Sequence, residues 1–262
     1  MRPSIQDLEP AERDPKKLRR TAFALVALMV VGAVFVLAAY NRDAAVRAED
    51  GRPAIVTRLE KNFKVWRQDE SEAGLLAARP ADRVVQVIAP VVFREPESWE
   101  HTRGVLRRLD ERFGEREDFR IVCITLDPEN EPPEYLAEVA EDLGAELPDW
   151  WVCGSREESV HKFFKNTLKA GVMPTKREDG WHYDPALVLI DRDRHVRQAT
   201  VRARKPSGKE LNYRHRVTFD FEQAARWDAE GRSEGVEKSN LEALEDLLVE
   251  TIEYVLNETP EK

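Results

Sequence analysis

The chain has 262 residues, 35% of them charged and 42% hydrophobic, with a net charge of −9. That length and apolar content suit one ordinary globular domain plus appendages. The acidic balance excludes nucleic-acid binding of the usual kind, which needs a basic face.

The first twenty residues hold six Lys or Arg and four Asp or Glu, and residues 21–40, TAFALVALMVVGAVFVLAAY, carry no charge. Twenty apolar residues span a bilayer. The run is longer than the apolar region of a cleaved signal peptide, so it reads as an uncleaved anchor. Lys16, Lys17, Arg19 and Arg20 precede the span and Arg42, Arg47, Asp43, Glu49 and Asp50 follow it. This bias predicts a cytoplasmic tail at 1–20 and a body on the extracytoplasmic, periplasmic side. Residues 41–53 read as a polar tether and 54–262 as the folded domain.

Residues 54–66 finish in a strand-like pattern. Residues 84–93, VVQVIAPVVF, read as a buried central strand. After REPES, Trp99, Thr102, Leu106, Leu109 and Phe113 recur at gaps of three and four, predicting an amphipathic helix with Ser98 as N-cap. Strand-to-helix corners of this kind usually carry the chemistry of α/β folds. This one carries Glu95, Glu97 and Trp99, with no cysteine, Ser-His pair or Gly-rich loop.

A strand at 119–126 ends in Asp127-Pro128. A helix lined by Tyr135, Leu136, Val139, Ala140 and Leu143 follows, closed by Gly144. Residues 149–154 form another strand. Ser155 and Glu158 have capping-box spacing ahead of a helix lined by Val160, Phe163, Phe164, Thr167 and Leu168. Residues 185–191, PALVLID, make a late strand, and 196–203 pair with it through a turn at 191–194. The Arg-rich run at 192–216 reads as a solvated hairpin face. Lys205-Pro206-Ser207-Gly208 marks a turn into a strand at 210–221, so an extra hairpin is expected at about 204–235. Residues 222–238 are polar and weakly patterned, and Trp227 among them finds no place. The last helix begins at Ser239, with Glu242 three residues on, and lines up Leu241, Leu244, Leu248, Ile252 and Val255.

This order is that of an α/β, thioredoxin-like three-layer sandwich with a central mixed sheet, preceded by one transmembrane helix. Cys123 and Cys153 could pair in an oxidising compartment, or be two small buried hydrophobes within strands. The second reading is favoured, since adjacent strands seldom present disulfide geometry.

Three pieces, VVFREPESW, VCITLDPENEPPEYLAEVAEDLGAELPDWWVCGS and DPALVLIDRDRHVR, resemble the SCO/SenC family of cytochrome c oxidase assembly. The resemblance covers roughly residues 63–201 and the last helix, and it extends to the single N-terminal anchor. It implies a copper-binding Cys-x-x-x-Cys corner and a His eight residues before the Asp that ends the late strand. Here Glu95 and Trp99 fall on the two Cys positions and Glu100 on the Pro that usually follows. Tyr183 falls on the His position, with His182 one residue away. Asn130, Glu131 and Pro132 replace the usual Arg-Asp-Thr. Pro185 stands where thioredoxins place a cis-proline, so a cis Asp184-Pro185 bond is expected.

A carboxylate and an indole provide neither a soft ligand for Cu(I) nor a thiolate for exchange. The expectation is therefore no enzyme but a redox-inactive accessory or interaction module in respiratory-oxidase biogenesis, with a membrane-complex partner such as an oxidase subunit. The alternative is a copper chaperone with a non-thiolate site of Glu95, Glu97, His182 and Asp184. Against that site stands the plainer reading that Glu95 and Glu97 only complement the helix dipole. Trp99, Trp150 and Trp151 could be recognition aromatics, although Trp99 lies on the apolar stripe and reads as core. His161 reads as a satisfied flank histidine, and His101, His195 and His215 lack ligand spacing. Peroxiredoxin-like chemistry would need a Cys near the first helix, where none stands.

Overall fold

The computed structural model describes residues 14–49, 52–76, 83–204, 210–232 and 237–259. They divide into two units, one ending at Gly51 and the other starting at Arg52.

The first unit is a single helix, α1 (Pro15–Glu49). Residues Pro15–Ala39 are long and apolar enough to cross a membrane. Phe23 is 77% exposed and Phe35 72%, an apolar surface that water does not favour. The segment read as a tether, 41–53, is helical as far as Glu49. Its Ala, Arg and Glu are good helix formers, and nothing in residues 41–49 breaks the backbone ladder.

The second unit is built on β4 (Val85–Val91), in which every residue is buried. Before it come β1 (Ala54–Arg58), β2 (Lys64–Arg67) and β3 (Glu72–Gly74). After it come α2 (Glu100–Phe113), β5 (Phe119–Thr125), α3 (Pro133–Leu143), β6 (Trp150–Gly154) and α4 (Glu157–Lys162). Then follow β7 (Thr175–Arg177), β8 (Gly180–His182), β9 (Val188–Ile190), β10 (His195–Gln198), β11 (Thr200–Arg204) and β12 (Glu210–Arg216). The chain closes with α5 (Phe221–Ala229) and α6 (Asn240–Asn257).

Eight strands form one mixed sheet in the order β1-β10-β9-β4-β5-β6-β2-β3. β4, β5 and β6 run parallel at its centre, with Val85 opposite Phe119 and Val91 opposite Thr125. β9 lies antiparallel on the other side of β4. The period of two in strand side chains then divides the core. Val87, Ala89, Ile121 and Val152 face Leu106 and Leu109 of α2, Leu136 of α3 and Ile252 of α6. Ile88, Val122, Ile124 and Trp151 face Val160, Phe163, Phe164 and Leu168. The result is the expected three-layer sandwich.

The cysteines follow the same rule. Cys123 pairs with Val152 and its neighbour Ile124 with Cys153, so the two thiols lie in opposite cores. Both are free and fully buried, and the disulfide reading is set aside. Burial pushes the Cys123 thiol up to about 12 and that of Cys153 well above the usual thiol range.

Several local expectations are corrected. Ser98 does not cap α2: residues Pro96–Ser98 form a 3-10 turn and Trp99 holds the N-cap position. The cap comes from a distant segment, because the Thr102 N–H donates to Glu222 of α5 at 2.9 Å. Ser155 makes no capping box; its hydroxyl donates to the Lys64 carbonyl at 2.9 Å and fixes β2 beside β6. The Asp184-Pro185 bond is trans, and Leu147-Pro148 is the cis bond among the described residues. Asp184 accepts hydrogen bonds from the Ala186 and Gly171 amides, and the late strand starts only at Val188, so that stretch is an independently tied turn. Trans is the default geometry for such a bond.

The expected strand at 196–203 divides at Ala199. β10 belongs to the main sheet, while β11 pairs with β12 in a separate ribbon. The Lys205–Gly208 turn lies outside the described residues. The Arg-rich run is not uniformly solvated either. Arg197 is 1% exposed and donates to Asp191 and Glu258 at 2.7 Å each and to the Pro53 carbonyl at 3.2 Å. The polar stretch from 222 contains α5, whose Asp228 accepts from the Asn240 and Leu241 amides at the start of α6. Ser239 and Glu242 form the expected capping box.

Candidate functional site

The corner after β4 is held by carboxylates. Arg94 donates its backbone N–H to Glu131 at 2.7 Å, and the other Glu131 oxygen accepts from the Thr125 hydroxyl. Glu131 is fully buried, and burial raises its carboxyl above the usual carboxylate range despite these two bonds. Asp127, at the end of β5, accepts from the Asn130 amide at 2.7 Å, the Trp181 indole at 3.0 Å and the Lys176 ammonium at 3.1 Å. Burial pushes Asp127 up, but the three donors outweigh it and hold the carboxyl below its ordinary value.

Glu95, on the first thiol position of the resemblance, accepts the Trp181 backbone N–H through both oxygens at 3.2 Å. Trp99, on the second, is 3% exposed, with Phe93 edge-on at 5.4 Å and the Arg103 guanidinium 5.8 Å from its ring. It is core, as its helical spacing indicated. Between them Ser98 meets the Tyr183 hydroxyl at 3.0 Å. Burial pushes the Tyr183 phenol up to about 12, opposed by the Ser98 bond and reinforced by Glu222 and Glu95. Tyr183 thus takes the place counted for a histidine, and it turns inward to the corner.

Beside the corner lies a cleft of about 710 Å³. One wall is Glu97, Ser98 and His101; another is residues 181–185; the third is α5 with Asp220 and Glu222. Burial raises the Asp220 carboxyl, with the nearby Asp184 charge adding to it against the Gln223 N–H bond.

Glu97, His182 and Asp184 line this cleft, whereas Glu95 does not. Asp184 is already engaged by the Gly171 amide at 2.7 Å and the Ala186 amide at 3.1 Å. Among the described residues no three His, Cys, Asp or Glu side chains are grouped as a metal would require. The set Glu95, Glu97, His182 and Asp184 is therefore not assembled into one coordination shell. The corner also has no sulfur donor for thiolate-bound Cu(I), since both thiols lie within the sheet.

His161 is the flank histidine expected, bonded at 2.8 Å to the Leu126 carbonyl and edge-on to Trp181 at 5.3 Å. Trp181, Asp127, Glu131 and Glu222 organise the corner although none stood out by spacing. Their only sequence signals are the Asp127-Pro128 pair and the departure from the family pattern at Glu131.

No family model matches the sequence, and no curated protein matches it. Solved structures do. The structure of BsSco, described as a member of the Sco family of cytochrome c oxidase assembly proteins, is 16% identical, covers 79% of this chain and 99% of its own, and has a TM-score of 0.50. A SCO1/SenC family lipoprotein from Bacillus anthracis is 18% identical over 56% of this chain and 86% of its own, with a TM-score of 0.46. Arabidopsis thaliana ScoI with copper bound is 13% identical over 74% and 98%, with a TM-score of 0.43. At this identity the likeness to BsSco speaks for architecture, and the chain has the thioredoxin-like fold of the Sco proteins.

Proposed function

We propose that this chain is a membrane-tethered, redox-inactive member of the SCO/SenC type that serves respiratory-oxidase biogenesis by binding a partner protein. The observation that carries the reading is the state of the corner: Glu95 is tied to Trp181 and Trp99 is packed into the core, where thiols would be needed for exchange or for Cu(I). The BsSco structure, described as that of an oxidase assembly protein, supports the choice of process. Helix α1 supports membrane tethering, and the Lys/Arg bias ahead of the span is the support for a body on the periplasmic side. The work left to such a corner is recognition, and the open cleft beside it is the surface available for a membrane-complex partner such as an oxidase subunit.

The test is deletion of the gene followed by complementation. Oxidase activity and membrane copper content fall on deletion and return with the full chain. Unchanged activity and copper content in the deletion strain contradict the proposal. A second reading, metal handling without thiolates, draws on His182, which is exposed at the cleft with Glu97 on the facing wall. Stoichiometric metal binding that disappears in His182→Ala would select it.

A further inference from the structure

Strands β7 and β8 form their own two-stranded sheet and share no ladder with the main one. The segment that carries them, residues 171–184, is closed at its base, where Asp184 accepts the Gly171 amide at 2.7 Å. On the N-terminal side the chain passes through Lys169 with φ 64°, a left-handed conformation unusual for a side chain other than glycine, so the backbone changes direction sharply before the segment. Beyond its base, the segment is fastened mainly through Trp181, which with Tyr183 also packs against the Val160–Leu168 side of the core. Trp181 donates its backbone N–H to Glu95 and its indole N–H to Asp127, while its strand partner Lys176 donates to the same Asp127. The seat is shaped for this contact. Gly180 has φ 117°, and a Cβ there would lie 3.2 Å from both Glu95 oxygens.

We infer that residues 171–184 are a latched flap: the stapled base keeps the segment together, Glu95 and Asp127 hold its tip against the corner, and release of the tip widens the cleft. The flap provides the cleft wall that includes Val172, Trp181, His182 and Tyr183, so its position sets the size of the opening. Tyr183 meets Ser98 behind the same wall, which means that an open flap also uncovers the start of α2. A segment with no ladder to the main sheet, held by a few charge-assisted bonds and by two partly buried rings, Trp181 and Tyr183, can open locally without global unfolding.

Hydrogen exchange on the full chain in detergent tests this directly. In Glu95→Ala, and separately in Gly180→Ala, exchange across residues 175–183 rises about tenfold or more, while β4 and α6 keep their protection. A cysteine introduced by Ser98→Cys reports the cleft, because both native thiols are buried. It is labelled slowly beside Glu95 and several-fold faster when combined with Glu95→Ala. The inference is overturned if exchange at 175–183 is unchanged in both variants, if β4 and α6 lose protection equally, or if Ser98→Cys is labelled at the same rate in both backgrounds.

Discussion

Cys123 and Cys153 sit on adjacent parallel strands yet belong to opposite cores, because Cys153 stands opposite Ile124 and not opposite Cys123. Burial raises both thiols, so neither is a nucleophile in the folded chain. Alkylation by iodoacetamide at pH 8 is expected to modify neither residue in the native protein and both after denaturation. Native intact mass is expected to be the same under oxidising and reducing conditions. A two-dalton difference between them would reveal a disulfide and contradict the assignment to separate cores.

Arg197 joins the beginning and end of the folded unit. Its guanidinium meets Asp191, Glu258 after α6 and the Pro53 carbonyl before β1, while Glu258 also pairs with Arg52 at 2.6 Å. Removing one partner of a buried pair leaves the others charged and desolvated. Arg197→Ala is therefore expected to cost about 3–5 kcal/mol in chemical denaturation. Arg112→Ala, which removes an exposed pair with Glu253, should cost about 1 kcal/mol or less.

Glu131 gives the fold a recognisable pH dependence. Its carboxyl is raised in the folded state by burial, so its contribution is fully present below the unfolded value and is lost as pH rises through the folded value. Asp127 is lowered, so its contribution is present above the unfolded value and is lost only as pH falls through the folded value, below the usual carboxylate range. Between neutrality and the ordinary carboxylate range, acidification should therefore raise the unfolding free energy through Glu131. In Glu131→Gln the same titration should lose that rise. Identical pH profiles for the two proteins would contradict the assignment.

Two caps test the local readings that held. Gly144 ends α3 at φ 71°, where a side chain is strained, and Gly144→Ala should cost about 1 kcal/mol. Ser239→Ala removes the capping box of α6 and should cost about 1 kcal/mol as well. Thermal unfolding of the two variants and of the double variant checks both values and their additivity, since the caps lie on separate helices.

What could be read ahead of the structure depended on local signals. The uncharged run of β4, the three-and-four spacing of α2 and the Ser239 to Glu242 spacing each report their own surroundings, and each was legible. Ser98 and Ser155 looked equally like caps, but their hydroxyls go to Glu95 and Tyr183 and to Lys64. For Ser155 a tertiary acceptor wins over the local amide, whereas Ser98 divides between a local carbonyl and the tertiary Tyr183 hydroxyl. The cap of α2 comes from Glu222, 120 residues away, and no periodicity points to it. The cis expectation at Asp184-Pro185 rests on position alone; the bond is trans, and Asp184 closes the base of the β7–β8 segment. Trp181 carries no local signal for a related reason. Its importance comes from Glu95 and Asp127 meeting it, and their separation along the chain hides that meeting.

The most direct measurement is copper binding by the full-length chain in detergent and reducing buffer, by calorimetry and by elemental analysis after dialysis. With Glu95 bonded to Trp181, Trp99 in the core and both cysteines inside the sheet, no stoichiometric copper is expected, and no change in Glu95→Ala. Tight one-to-one copper, lost in His182→Ala, would contradict this expectation and place metal handling at the cleft.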